Sequence, residues 1–127
     1  MNKKKAFILW FKDLTIKDVP LAGGKNASLG EMYRNLGKKG VKVPDGFAVT
    51  AYAYGYLLKK AKIKSKIKEI LSDLDTHNMG NLAERGRKVR ETILQAELPQ
   101  ELEDSIVSAY KKLCKEYGPN TDVAVRS

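Results

Sequence analysis

The sequence predicts a helix-rich α+β fold. Apolar residues recur at helical spacing along most of the chain. Short apolar runs at 7–11, 47–49 and 123–125 have the length of buried strands. Glycine, proline and asparagine separate these stretches as turn punctuation. With 127 residues and 43% hydrophobic side chains, the chain is sized for one domain or a piece of one, with enough apolar surface for a core.

The elements follow in order. Residues 7–11, Phe-Ile-Leu-Trp-Phe, form the first strand. After a polar stretch, Leu29, Met32 and Leu36 fall at i, i+3 and i+7 on one helical stripe. That helix begins near Asn26. Gly37 and Gly40 bracket Lys38-Lys39, which places a stop and two cations where a helix C-terminus favours them. Pro44-Asp45-Gly46 is turn chemistry and leads into a strand at 47–49. Thr50 caps the next helix, which runs through Tyr54, Leu57, Leu58 and Ala61. A further helix starts at Ser65, with Ile67, Ile70, Leu71 and Leu74 on one face. Asn81 caps another, with Leu82, Val89, Ile93 and Leu94 turned inward. Pro99 opens a long helix with the stripe Leu102, Ile106, Ala109, Leu113, and Tyr117-Gly118-Pro119-Asn120 ends it. Residues 123–125 are the last strand, predicted to pair with the strand at 47–49. Because the sequence stops at Arg126-Ser127, directly after this run, it reads as cut within a longer protein.

Composition narrows the function classes. The 24 basic and 15 acidic residues leave a net charge of +9, spread over separate segments. This suits a solvated lysine-rich surface, and also an anionic ligand. A single cysteine, Cys114, excludes an internal disulfide, and with His77 as the one histidine no thiolate–imidazole zinc site can be built. No apolar run is long enough to span a bilayer. The apolar stretch near the N-terminus is shorter than a signal-peptide core and is followed by Lys12-Asp13, so a cytoplasmic location is expected.

The segment Gly23-Gly24-Lys25-Asn26-Ala27-Ser28-Leu29-Gly30-Glu31-Met32 carries the most chemical information. Two glycines allow close approach of the backbone to a ligand. A helix starts at once, presenting unpaired N–H groups and the positive end of its dipole, and Lys25 adds a mobile cation. This is the logic of a phosphate-binding loop. It differs from the P-loop, since Val19 stands where the first glycine should be and Asn26 replaces the Ser/Thr. A glycine-rich turn with an exposed lysine has the same pattern. Arg126, just past an apolar run, can clamp an anion with its fork of donors or lie at the surface.

Other candidates are weaker. His77 reads as a solvated loop residue and Cys114 as half-buried and inert. Glu101, Glu103 and Asp104 complement the dipole of the long helix. Tyr52, Tyr54 and Tyr56 are too interleaved to make one stacking face.

Three segments, in order, resemble the N-terminal end of the phosphoenolpyruvate synthase (pyruvate, water dikinase) family. They are the Gly23-to-Met32 block, the block from Val43 to Tyr54 (Val-Pro-Asp-Gly-Phe-Ala-Val-Thr-Ala-Tyr-Ala-Tyr), and the closing Val123-Ala124-Val125-Arg126-Ser127. Leu9-Trp10-Phe11 also fits. The wider dikinase group shares an ATP-grasp nucleotide domain and includes pyruvate, phosphate dikinase and rifampicin phosphotransferase. The wording Asn-Ala-Ser-Leu-Gly-Glu-Met favours the synthase.

The resemblance implies that residues 1–127 are the N-terminal part of an ATP-grasp-type nucleotide-binding domain. In that family, ATP passes its β-phosphate to a histidine and leaves as AMP, the γ-phosphate goes to water, and the histidine phosphorylates pyruvate, a step used in gluconeogenesis. Lys25 and Arg126 would contact the ATP phosphates, with Gly23 and Gly24 forming the loop. The phosphorylated histidine and the Mg2+ ligands are expected beyond Ser127, so these residues hold no catalytic or metal-binding group and should not turn over ATP alone. The implied partners are ATP, pyruvate in the full-length enzyme, and the rest of the same chain, with neither nucleic acid nor membrane. The rival readings are another dikinase-type phosphotransferase and, from a different class, a small basic nucleic-acid-binding module.

Overall fold

The computed structural model describes residues 2–127. It is helix-rich with one two-stranded antiparallel sheet. The chain divides into two compact units. One comprises the residues up to Tyr54 together with Gln100–Ser127, and the other is Gly55–Pro99.

In the first unit, β1 (Ile8–Trp10) pairs antiparallel with β2 (Phe47–Val49) in the register Ile8↔Val49, Leu9↔Ala48, Trp10↔Phe47. Trp10 and Phe47, opposite each other, have ring centroids 5.3 Å apart in a tilted arrangement. Leu9, Leu14 and Ala48 are buried, with Ala6, Phe11, Leu21 and Ala22 packed around them. Burying each of the two leucines is worth about 1.5–3 kcal/mol relative to exposure.

Between the strands run α1 (Val19–Ala22) and α2 (Gly24–Lys38). The end of α2 is closed by Gly40 at φ +80, with the Gly40 amide on the Gly37 carbonyl and the Val41 amide on that of Leu36. These two bonds are a Schellman motif, which favours glycine at its left-handed position. The buried face of α2 differs from the expected stripe. Ala27 and Gly30 are buried, whereas Met32 is 47% exposed. A Cβ on Gly30 would come within 2.6 Å of the Leu14 Cβ, 2.8 Å of its carbonyl oxygen and 3.0 Å of the Phe11 oxygen. Close approach between α2 and the 11–14 segment therefore selects the smallest residues.

Thr50 caps α3 (Ala51–Lys60) as expected: its hydroxyl accepts from the Ala53 amide at 3.1 Å and donates to the Ala6 carbonyl. Ala53 is buried on this helix, and Tyr54 is 48% exposed. In α6 (Gln100–Tyr117), Leu102, Ala109 and Leu113 are buried as the stripe requires, and this helix packs on β1. It ends at Gly118, φ +115, whose amide bonds to the Cys114 carbonyl. The expected strand at 123–125 is absent. Residues 121–127 are irregular, Val123 and Val125 are exposed, and β2 takes β1 as its partner in the sheet.

In the second unit, α4 (Lys64–Leu71) packs on α5 (Met79–Gln95). The Arg85 guanidinium donates to the Ile70 carbonyl at 2.7 Å and pairs with Asp73 at 2.8 Å, which ties the end of α4 to α5. Asn78, not Asn81, caps α5, its side chain accepting from the Asn81 amide. The Asn81 side chain instead accepts from the Asp75 amide. Leu82 and Leu94, expected inside, are exposed, as is Leu71, and Thr92 is the buried position of α5.

Candidate functional site

The glycine-rich loop is built from the N-terminus forward. Thr15 and Asp18 form a reciprocal cap: the Thr15 side chain accepts from the Lys17 amide, and the Asp18 carboxylate accepts from the Thr15 amide at 2.9 Å. Lys3 closes the arrangement, with Nζ 3.0 Å from Asp18 Oδ2 and also donating to the Asp13 carbonyl. Burial acts to raise the Asp18 pKa, but the Thr15 amide and the Lys3 ammonium outweigh it and hold the carboxyl below its ordinary value.

From this anchor α1 makes a single turn, with Pro20 in its first positions. Gly23 then switches direction at φ +85, ψ 159. Its amide bonds back to the Val19 carbonyl at 2.8 Å, and its carbonyl accepts from Ala27 at 3.0 Å. One glycine thus closes α1 and opens α2, in a backbone region that L side chains rarely enter. Asn26 reaches back to the Ala22 carbonyl at 2.9 Å and holds the corner.

The result is an α2 N-terminus that no side chain caps. Gly24 and Lys25 are its first two residues, and both are exposed. A Cβ on Gly23 or Gly24 would meet no atom within 4 Å, so the space before the loop is open and packing does not demand glycine there. Free N–H groups at a helix start, the helix dipole and a lysine in the first turn together suit a phosphate. The helix starts two residues earlier than the sequence indicated, at Gly24 instead of near Asn26.

Glu31, one helix face further on, fixes α2 from its middle. Its carboxylate accepts from the Ile16 amide and from Arg34, both at 2.9 Å, and from Asn35 at 3.3 Å. The Ile16 amide is the main reason its pKa lies below the ordinary value; burial opposes, and Arg34 and Asn35 assist.

Gly23, Gly24 and Lys25 therefore stand together at one helix start. Arg126 is carried by a separate segment, the exposed irregular stretch after Thr121. His77 is exposed in its loop, its amide donating to the Asp75 side chain. Cys114 is half-buried. Among the described residues, no three or more His, Cys, Asp or Glu side chains gather as a metal site. The sequence reading missed Lys3, Thr15, Asp18 and Glu31 as supports of the loop. The Thr15-x-x-Asp18 spacing was a readable capping signal, whereas Lys3 meets Asp18 only through folding.

Comparison by sequence finds similar known proteins. The chain is 47% identical to the phosphoenolpyruvate synthase of Synechocystis over 131 aligned residues, covering 99% of this chain and 16% of the relative. It is 48% identical to that of Aquifex aeolicus, covering all of this chain and 15% of the relative. It is 40% identical to that of Escherichia coli, covering 99% and 16%. The chain thus spans about a sixth of the length of these relatives. Residues 19–127 match the pyruvate phosphate dikinase AMP/ATP-binding domain, and the chain belongs to that family.

Proposed function

We propose that this chain supplies the phosphate-facing half of the ATP site in a phosphoenolpyruvate synthase. The whole enzyme converts ATP, pyruvate and water to phosphoenolpyruvate, AMP and phosphate through a phosphohistidine. The relatives that share its full length of sequence bear that name. One observation carries the reading: an uncapped helix start, opened by Gly23 at φ +85, with open space before it and Lys25 exposed in its first turn. Phosphoryl transfer needs cations and N–H donors held around the phosphate oxygens. The Gly24 and Lys25 amides and the Lys25 ammonium are of that kind. Arg126 is the second cation, brought over the same triphosphate in an ATP-grasp-type domain of which residues 1–127 are the N-terminal part. Magnesium accompanies ATP in such chemistry. Its ligands belong to the remainder of the enzyme, which works in the cytoplasm.

The test is Lys25→Ala in the full-length enzyme. AMP formation from ATP should slow by about 10²-fold or more, the cost of removing one donor from a charge-stabilising site, while pyruvate binding changes little. Undiminished AMP formation would overturn the assignment.

A further inference from the structure

The two-stranded sheet leaves one edge of β1 unpaired, and a groove lies along it. In an antiparallel pair, alternate residues turn their N–H and C=O groups toward the partner strand. The Thr50 amide bonds to the Phe7 carbonyl and the Phe11 amide to the Gly46 carbonyl, both at 3.0 Å. With the observed register, residues 7, 9 and 11 therefore face β2. Ile8 and Trp10 direct their backbone groups to the opposite edge, where no further strand stands among the described residues. A groove of about 430 Å³ opens there, between β1 and α6. Its α6 wall carries the small side chains of Ser105, Ser108 and Ala109, with Asp104 toward one end and Lys112 toward the other.

We propose that this groove receives an extended segment of the longer polypeptide as a third strand beside β1. An unpaired strand edge is a ready template for a further strand. The small residues of α6 leave room for a backbone, and the groove's opposite charges set what fits. Asp104 and Lys112 are eight residues apart, about 12 Å along the helix at ~1.5 Å per residue. An extended segment covers that distance in about four residues at ~3.3 Å each. Residues i, i+2 and i+4 of a strand share one face. The fitting segment thus carries a basic residue at one end, an acidic residue four positions away, and an apolar residue between them on the same face. We commit to a segment of the same polypeptide because this chain is about 16% of the length of its relatives, so most of such an enzyme is tethered nearby. The inference rests on the proposed identity as one part of a synthase.

The experiment uses the full-length enzyme with Ser108 replaced by the photo-cross-linking residue p-benzoylphenylalanine. Irradiation should give an intramolecular cross-link to a segment beyond residue 127 that has the charge pattern above. Hydrogen exchange in the unsubstituted enzyme should show the Ile8 and Trp10 amides protected. Ser105→Arg, which fills the groove, should make them exchange faster. Lys112→Glu, a surface charge change that leaves the core alone, should lower the cross-link yield several-fold. The proposal is overturned by a cross-link to a second copy, for instance to its residues 122–126, by no cross-link at all, or by freely exchanging Ile8 and Trp10 amides. AMP formation in the Lys25→Ala enzyme reads the ATP-site assignment separately, so either idea can fail alone.

Discussion

The backbone amide of Asp45 donates a 2.7 Å hydrogen bond to the phenolic oxygen of Tyr117, 72 residues further along the chain. The bond joins the irregular segment before β2 to the last residue of α6. The Asp45 carboxyl accepts from the Gly46 amide at 2.8 Å. Burial raises its pKa, and the nearby Glu116 and Asp13 charges add to the rise, against the Gly46 amide and Lys12. Tyr117→Phe keeps the ring and removes the acceptor. Thermal unfolding should show a loss of about 1 kcal/mol, the usual net worth of one such bond. An unchanged melting temperature would mean that water replaces the hydroxyl without cost.

Gly30 and Gly37 sit on one helix and should respond oppositely to alanine. At Gly30 the added methyl meets Leu14 at 2.6 Å and backbone oxygens at 2.8 and 3.0 Å, so Gly30→Ala should destabilise by about 1–3 kcal/mol. At Gly37 nothing lies within 4 Å, and Gly37→Ala should stabilise by about 0.5–1 kcal/mol through helix propensity. Denaturant midpoints of the two variants check both signs.

Asp18 makes stability depend on acid. Its folded pKa is held down by the Thr15 amide and Lys3 against the opposing effect of burial. A depressed carboxyl contributes stability above its unfolded pKa, near 4, and that contribution fades as pH falls through the folded value. Asp18→Asn should therefore lower the melting temperature at pH 7, and the gap to the parent should begin to narrow below about pH 4 and shrink further as the pH falls toward the folded value. A gap that does not narrow at all as the pH falls below about 4 would trace the effect to packing alone.

Arg126 distinguishes charge from shape at the proposed ATP site. In the full-length enzyme, Arg126→Glu should slow AMP formation far more than Arg126→Gln, because it sets a like charge against the phosphates. Equal effects of the two substitutions would remove Arg126 from phosphate contact.

The legibility of the fold varies by residue. The stripe of α6, the Thr50 cap and the Gly40 stop were readable because each is a local pattern of spacing and backbone preference. The turn expected at Pro44-Asp45-Gly46 is not formed: residues 41–46 are irregular and Gly46 keeps a φ outside the positive region, its missing side chain leaving room for the Phe11 ring instead. The inward face of α2 was misread: Leu29, Met32 and Leu36 made the more apolar stripe, but Ala27 and Gly30 face Leu14 and Phe11, where only small residues fit. The cap of α5 was misplaced by three residues because Asn78 and Asn81 both suit the role, and the Asp75 amide claims Asn81.

By itself the sequence determined the helix-rich α+β class, a glycine-rich loop running into a helix with Lys25 beside its start, and the family, because periodicity and motif are properties of contiguous residues; the first residue of that helix, Gly24, was set by the fold. Tertiary structure decided which strands pair, with β1 beside β2 and residues 123–125 left outside the sheet. It also brought Lys3 to Asp18 and Tyr117 to Asp45. The physical reason is that strand pairing and long-range hydrogen bonds depend on groups far apart in the chain, and an isolated strand run carries no record of its partner.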